Sequence, residues 1–367
     1  MGLSGSFLPS QVCVLTSNFT KFCPAQRYIL SLHFRKEKMK KKLITLAVAA
    51  TAVALVAGTT QSASAAKTKP LRLIFISKGF DHQFWQAVKK GAQDQGKKMN
   101  ATVQFIGPAN ESLIDHQLQM LDDAIASRPD GIGYAALGTT ESVAHLAAAK
   151  AAGIPVYGFD TAPSCPTPLG VKSKCELGIA YTNSKAAGAL AADKMGALLG
   201  GKGKVFVLGH SQTNQTGIDR RDGFVNEMAA KFPGITVLPV QYANDSNAAT
   251  TVATTALTAN PDLAGMYTTN EGGAVGADAA FKAAGLTSGK VKLIGFDSGQ
   301  GQIDAINSGM QVGAITQNPI GIGAKTVEAL VNFIRNKKVP ATVIDTGFYY
   351  YDKSNITDPK IVADLYQ

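Results

Sequence analysis

Residues 129–160 read PDGIGYAALGTTESVAHLAAAKAAGIPVYGFD, and residues 261–297 read PDLAGMYTTNEGGAVGADAAFKAAGLTSGKVKLIGFD. Both stretches open on Pro-Asp (Pro129-Asp130, Pro261-Asp262) and run through a short apolar segment into an Ala-rich helical pattern. Both then pass Lys-Ala-Ala-Gly (Lys150–Gly153, Lys282–Gly285) and return to Gly-Phe-Asp (Gly158–Asp160, Gly295–Asp297). Strand, helix, glycine stop and strand make a βαβ unit, whose crossover implies parallel strands covered by helices. A βαβ unit repeated about 130 residues further along predicts two domains of like topology.

The flanking sequence extends the pattern. Strands are expected at Leu71–Ile76, Thr102–Ile106, Gly131–Ala135 and Val156–Phe159, with helices near Phe84–Lys98, Leu113–Ala126 and Ser142–Ala152. The alternation resumes with strands at Lys204–Leu208, Thr236–Val240, Gly265–Thr268 and Lys292–Gly295. Ser112 with Asp115 forms a candidate capping box, and Gly153 with Pro155 ends a helix. Asp160 and Asp297 each fall at the carboxyl end of a parallel strand, where open α/β sheets bind ligands. An Asp after a strand also shapes turns. Its occurrence in both copies favours a pair of ligand-contacting carboxylates facing each other across a cleft.

At 367 residues and 45% apolar content the chain is large enough for two cores. Its net charge of +10 first suggests nucleic acid, but residues 1–65 hold eight Lys/Arg against one acid. The remainder carries only about +3, so the basic excess does not describe a binding surface. It belongs instead to a targeting segment. Met39 begins Met-Lys-Lys-Lys, the apolar run Leu43–Gly58 follows, and Ala63-Ser64-Ala65 offers a small-x-small cleavage site. Residues 39–65 are therefore read as a secretory signal peptide cut after Ala65. The run is too short and Ala-rich for a membrane span, and no Cys at the cut calls for a lipid anchor. Residues 1–38 would bury the basic region inside the chain, so they are read as a spurious extension upstream of a start at Met39. Export places the protein in the periplasm.

Four cysteines are present. Cys13 and Cys23 lie in the doubtful extension, leaving Cys165 and Cys175 as an even pair in an exported chain and hence an expected disulfide. Over so short a loop it contributes on the order of 3 kcal/mol. His82, His116, His145 and His210 are scattered and no CxxC or HExxH occurs, so no metal site and no cofactor are expected.

Several further motifs carry a family resemblance over residues 70–350. They are Ser77, His82-Gln83-Phe84-Trp85-Gln86 before Lys90-Gly91-Ala92, and Gly158-Phe159-Asp160. With them go Asp219–Phe224 (DRRDGF), Thr269-Asn270-Glu271, Gly295-Phe296-Asp297 and Ile315–Pro319 (ITQNP). The chain resembles the ribose-type periplasmic binding proteins, in the type I fold shared with LacI-like regulators. The resemblance implies an α/β architecture of two Rossmann-like lobes joined by a three-segment hinge, with crossings near Tyr181–Ser184, Gln317–Pro319 and Asp345–Gly347. The N-terminal lobe would be residues 70–182 plus 319–345, and the C-terminal lobe 183–318 plus 346–367. It also implies ligand contacts at His82, Phe84, Trp85, Asp160, Asn270, Asp297 and Gln317. Three positions depart from the ribose pattern: Ala136 replaces an Asn, Ile218 an Arg, and Asn244 a stacking aromatic. Arg220 and Asn214 stand near enough to substitute, Asn244 is kept as a candidate contact, and Asn183 near a crossing could touch ligand or fix the hinge.

The chemistry suits a sugar or polyol. Each hydroxyl donates and accepts, so planar Asp, Asn, Gln and Arg side chains fork pairs of them. Flat aromatic faces such as Trp85, the only Trp, cover the C–H faces. The resemblance implies delivery to an ABC permease in the inner membrane by a monomeric receptor; a sensory receptor, or a non-sugar ligand, fits the same residues. An enzyme is disfavoured: no Gly-x-x-x-x-Gly-Lys loop is present, Ser77-Lys78-Gly79-Phe80 is too poor in Gly to hold a dinucleotide, and Ser211 lacks a nucleophile elbow. A DNA-binding regulator would need a helix-turn-helix where the signal peptide stands.

Overall fold

The strand Leu71–Ile76 (β1) is apolar on both faces, with Leu73, Ile74, Phe75 and Ile76 all buried, which marks the middle of a covered sheet. In this computed structural model, which describes residues 69–80, 82–165 and 175–366, β1 lies between β2 (Ala101–Ile106) and β3 (Gly131–Tyr134). The signal peptide and upstream extension assigned above lie outside the described residues. β4 (Val156–Phe159) and β5 (Ile179–Tyr181) continue the sheet, every pairing being parallel. A second sheet contains β6 (Gly203–Gly209), β7 (Ile235–Val237), β8 (Gln241–Tyr242), β9 (Leu263–Thr268), β10 (Lys292–Phe296) and β11 (Gly313–Gln317).

The order is β2-β1-β3-β4-β5 in the first sheet and β7-β6-β9-β10-β11 in the second. Numbered within each sheet, both are 2-1-3-4-5, the doubly wound order whose switch point lies between strands 1 and 3. The repeat is thus a repeat of topology. Each sheet gains one edge strand from the end of the chain: β12 (Val343–Asp345) pairs parallel with β5, and β13 (Phe348–Tyr351) antiparallel with β11.

Helices cover both faces. α1 (Gln83–Lys98), α2 (Ile114–Ala126), α3 (Val143–Ala151) and α9 (Pro319–Asn336) pack on the first sheet or on each other. α4 (Ser184–Leu198), α5 (Gln215–Lys231), α6 (Ser246–Ala259) and α7 (Glu271–Ala283) serve the second, with α8 (Gln300–Ser308) against α7. The short α10 (Pro359–Val362) adds Ile361 to a cluster with Ile306, Ala314 and Tyr351. α1 and α9 approach closely because Gly91 and Gly323 face each other's backbones; a Cβ at either would overlap the carbonyl of Ile320 or Val88. Gly188 and Gly223 do the same for α4 and α5.

The chain passes between the sheets after β5, after β11 and between β12 and β13. Tyr181 O accepts from Thr346 N at 2.9 Å and Thr346 Oγ1 at 3.1 Å, tying the first passage to the third. Two local features qualify the sequence reading. α2 begins on Leu113 with no side-chain cap, because Ser112 Oγ donates to Asn110 Oδ1 at 2.6 Å instead of capping. Gly153 and Gly285, the glycine stops of the repeat, both take left-handed φ (73° and 63°).

Candidate functional site

Asp160 and Asp297, the last residues of the two repeat copies, are also its conformational signature. Both are non-glycine residues in the left-handed region, at φ 59° and 80°. Such backbone costs on the order of 1 kcal/mol and persists where surrounding structure demands it. Here it turns each carboxylate off the end of β4 or β10 into one cavity between the two sheets' carboxyl edges. The cavity is nearly filled by its own side chains, with a volume of about 10 Å³, and is lined from the first sheet by Lys78, His82, Phe84, Trp85, Glu111 and Asp160. The second sheet supplies His210, Arg220, Asn270, Asp297 and Gln317.

Eight of the ten candidate contacts therefore meet: His82, Phe84, Trp85, Asp160, Arg220, Asn270, Asp297 and Gln317. Asn214 stands one layer behind. It is buried, caps α5 by accepting from Thr216 N at 3.0 Å, and takes Lys78 Nζ at 3.4 Å. Asn244 does not reach the cavity. It is exposed, one residue before Asp245, the residue that caps α6, so its loop faces solvent. Asn183 caps α4 through Ala186 N at 3.2 Å.

Each carboxylate is held by dedicated donors. Asp297 Oδ1 accepts from Gln317 Nε2 at 2.6 Å and Oδ2 from Glu271 N at 3.0 Å, with Arg220 Nη1 4.0 Å from Oδ2. Arg220 is fixed by donating to Thr269 O at 2.8 Å and by stacking its guanidinium 3.7 Å from the Phe296 ring centre. Asp160 Oδ2 accepts from Lys78 Nζ at 3.0 Å and Thr161 Oγ1 at 2.8 Å. Phe84 and Trp85 meet edge to face, 4.8 Å apart at 85°, and Trp85 Nε1 donates to Glu111 Oε1 at 2.9 Å. Gln317 Oε1 and Arg220 Nε are buried with no partner among the described residues. A buried polar atom left unpaired costs about 1–3 kcal/mol, so these atoms call for hydrogen-bonding groups from elsewhere.

His210 is deeply buried, which holds its ring well below the ordinary histidine range, with Arg220 and Lys78 adding to the effect. Thr269 Oγ1 accepts from His210 N at 2.8 Å and also lies 2.8 Å from the ring Nδ1. Behind the cavity, burial pushes Glu271 up to about 7 from an ordinary 4.5; His82 opposes the shift and Asp297 adds to it.

Sequence reasoning missed Lys78, Glu111 and His210. All three follow a strand directly or by a few residues at its carboxyl end, the positional signal that singled out the two aspartates. In the sequence Lys78 stands in a Gly-poor loop, yet it is 3% exposed and reaches Asn214 and Thr216 Oγ1 (3.2 Å) across the cleft. Cys165 and Cys175 are disulfide-bonded, with Cα atoms 6.0 Å apart, in the loop after β4. Among the described residues no cluster is suited to a metal ion, and no helix is long and apolar enough to cross a membrane.

Two doubly wound lobes with a polar cavity between their carboxyl edges define a two-lobed solute receptor. The chain belongs to the periplasmic binding protein domain family, whose model matches residues 73–338. It is 29% identical over 269 residues to the D-allose-binding periplasmic protein of Escherichia coli, covering 72% of this chain and 85% of that one. To the ribose import binding protein of the same species it is 28% identical over 305 residues, covering 82% and 95%. Among solved structures it is similar to an ABC transporter solute-binding protein from Agrobacterium vitis bound with α-D-tagatopyranose, with TM-score 0.76 and 31% identity, covering 81% of this chain and 99% of that one. A second protein from that organism, with bound D-fucose, matches at TM-score 0.75 and 31% identity, covering 80% and 100%.

Proposed function

We propose that this chain captures a monosaccharide or polyol between its lobes in the periplasm and delivers it to the permease of an ABC importer, without catalysing a reaction on it. The observation that carries this reading is the pairing of Asp160 and Asp297 across one cavity, beside Phe84 and Trp85 and the unpaired Gln317 Oε1 and Arg220 Nε. Ionised acceptors and planar forks suit hydroxyls, and an aromatic wall suits the C–H faces of a ring. The sugars named for its relatives support the class. Residues 70–182 with 319–345, and 183–318 with 346–367, would move as the two lobes, flexing at the three passages between sheets.

A thermal-shift panel of the processed protein against pentoses, hexoses, deoxy sugars and polyols tests the reading. A ligand at 100 times its dissociation constant adds about 2.7 kcal/mol of stability, so a selective upward shift is expected. No shift across the panel would reject the sugar class.

Glu271 adds a pH dependence. Its closed-state pKa of about 7 lies above the ordinary 4.5 that it regains on exposure, so closing takes up a proton. This contribution is full below about pH 4.5 and lost as pH rises through 7. Binding coupled to closure is expected to tighten about tenfold from pH 8 to pH 6, and Glu271→Gln should flatten that profile. Because His82 faces Glu271, an unchanged profile in the variant would assign the dependence elsewhere.

A further inference from the structure

The first N–H groups of a helix have no partner inside it and need one from outside. Six helices supply their own: Asn183, Asn214, Asp245, Asn270, Asn318 and Asp358 each accept from the first turn they precede. α1, α2, α3 and α8 begin on His82, Leu113, Ser142 and Gly299, which make no side-chain cap bond. For α8 a partner comes from across the cleft. Gln83 Oε1, on the first residue of α1, accepts from Gln300 N, on the first residue of α8, at 2.6 Å. Glu271, at the start of α7, brings its carboxylate to the same junction, with Oε1 beside Gly299.

Gly299 sits where these groups converge. A Cβ there would overlap Glu271 Oε1 and lie 2.8 Å from Gln83 Oε1, although its φ of −65° suits any residue. A second link closes the junction: the Tyr366 ring meets Phe84 edge to face at 6.0 Å while its hydroxyl accepts from Ser298 N at 3.1 Å. Neither Gln83, Glu271 nor Gly299 lines the cavity.

We infer that Gln83 forms a latch, capping a helix of the opposite lobe, which holds the closed form and sets the rate at which bound solute leaves. The inference rests on the proposed capture of solute between the lobes. The cap exists only while the lobes meet, and opening returns the start of α8 to water. Interactions formed on closing slow dissociation and leave encounter almost untouched.

The test is stopped-flow release of the sugar identified by the panel. Dissociation is expected to be about fivefold faster in Gln83→Ala, with association within about twofold of wild type. Gly299→Ala wedges the junction without removing a donor and should also speed release. Dissociation within about twofold of wild type in Gln83→Ala would overturn the latch.

If no sugar binds the wild-type protein, the functional reading fails and the latch is judged separately. Electron–electron resonance between spin labels at the exposed Ala109→Cys and Gln212→Cys, one on each lobe, then reads closure directly. A smaller short-distance fraction in Gln83→Ala supports the latch, and an unchanged distribution overturns it.

Discussion

Asp297→Ala is expected to weaken ligand binding by more than about 1,000-fold while leaving the protein folded. The carboxylate is the acceptor for Gln317 Nε2 and Glu271 N and lies beside Arg220, so its loss strips three buried donors of their common partner. It also removes the ionised acceptor that the second lobe offers a ligand hydroxyl. The fold should survive, because Tyr351 OH bonds to the backbone oxygen of Asp297, which the substitution keeps. Alanine at φ 80° adds strain on the order of 1 kcal/mol. Asp297→Asn separates the two effects, since Asn tolerates the left-handed region and keeps one acceptor oxygen. Titration calorimetry should place it between wild type and Asp297→Ala. Wild-type affinity in Asp297→Ala would remove Asp297 from the site.

Lys78→Met is expected to cost about 3 kcal/mol of stability and to abolish binding. Lys78 Nζ is 3.0 Å from Asp160 Oδ2 and 3.8 Å from Glu111 Oε2, in surroundings that hide all three side chains from most water. Breaking a buried pair leaves its partner charge uncompensated, which costs more than the pair itself contributes. The double variant Lys78→Met/Asp160→Asn should therefore be more stable than Lys78→Met alone, with binding still lost. Urea unfolding of the four proteins in the cycle measures this coupling. Additive losses in the double variant would show that the two groups act independently.

The topology was legible because the chain states it twice. Strand-helix-Gly-strand ending in Gly-Phe-Asp marks equivalent positions, and the equivalence extends to the left-handed turns of Asp160 and Asp297. The main strands of both sheets were legible from β-branched runs bounded by turn residues. β5, β8, β12 and β13 span two to four residues and lie outside the duplicated unit that marks β3, β4, β9 and β10.

The site was legible wherever chemistry followed a strand in a recognisable motif. Lys78 escaped because a lysine in a loop normally reads as solvated, and only the folded chain brings Asp160, Glu111, Asn214 and Thr216 around it. Asn244 erred the other way. It matched a family position in sequence, but it sits in an exposed loop with no aromatic ring to carry it into the cavity. Gln83 gave no signal at all, since its partner Gln300 is 217 residues away.

The most direct test of the central claim is a crystal structure with the sugar selected by the panel. The sugar ring is expected against Phe84 and Trp85, with hydroxyl oxygens within hydrogen-bonding distance of Asp160 and Asp297 and with Gln317 Oε1 and Arg220 Nε newly paired. Density for the sugar anywhere else, or a sugar bound to one lobe alone with the two aspartates untouched, would contradict it.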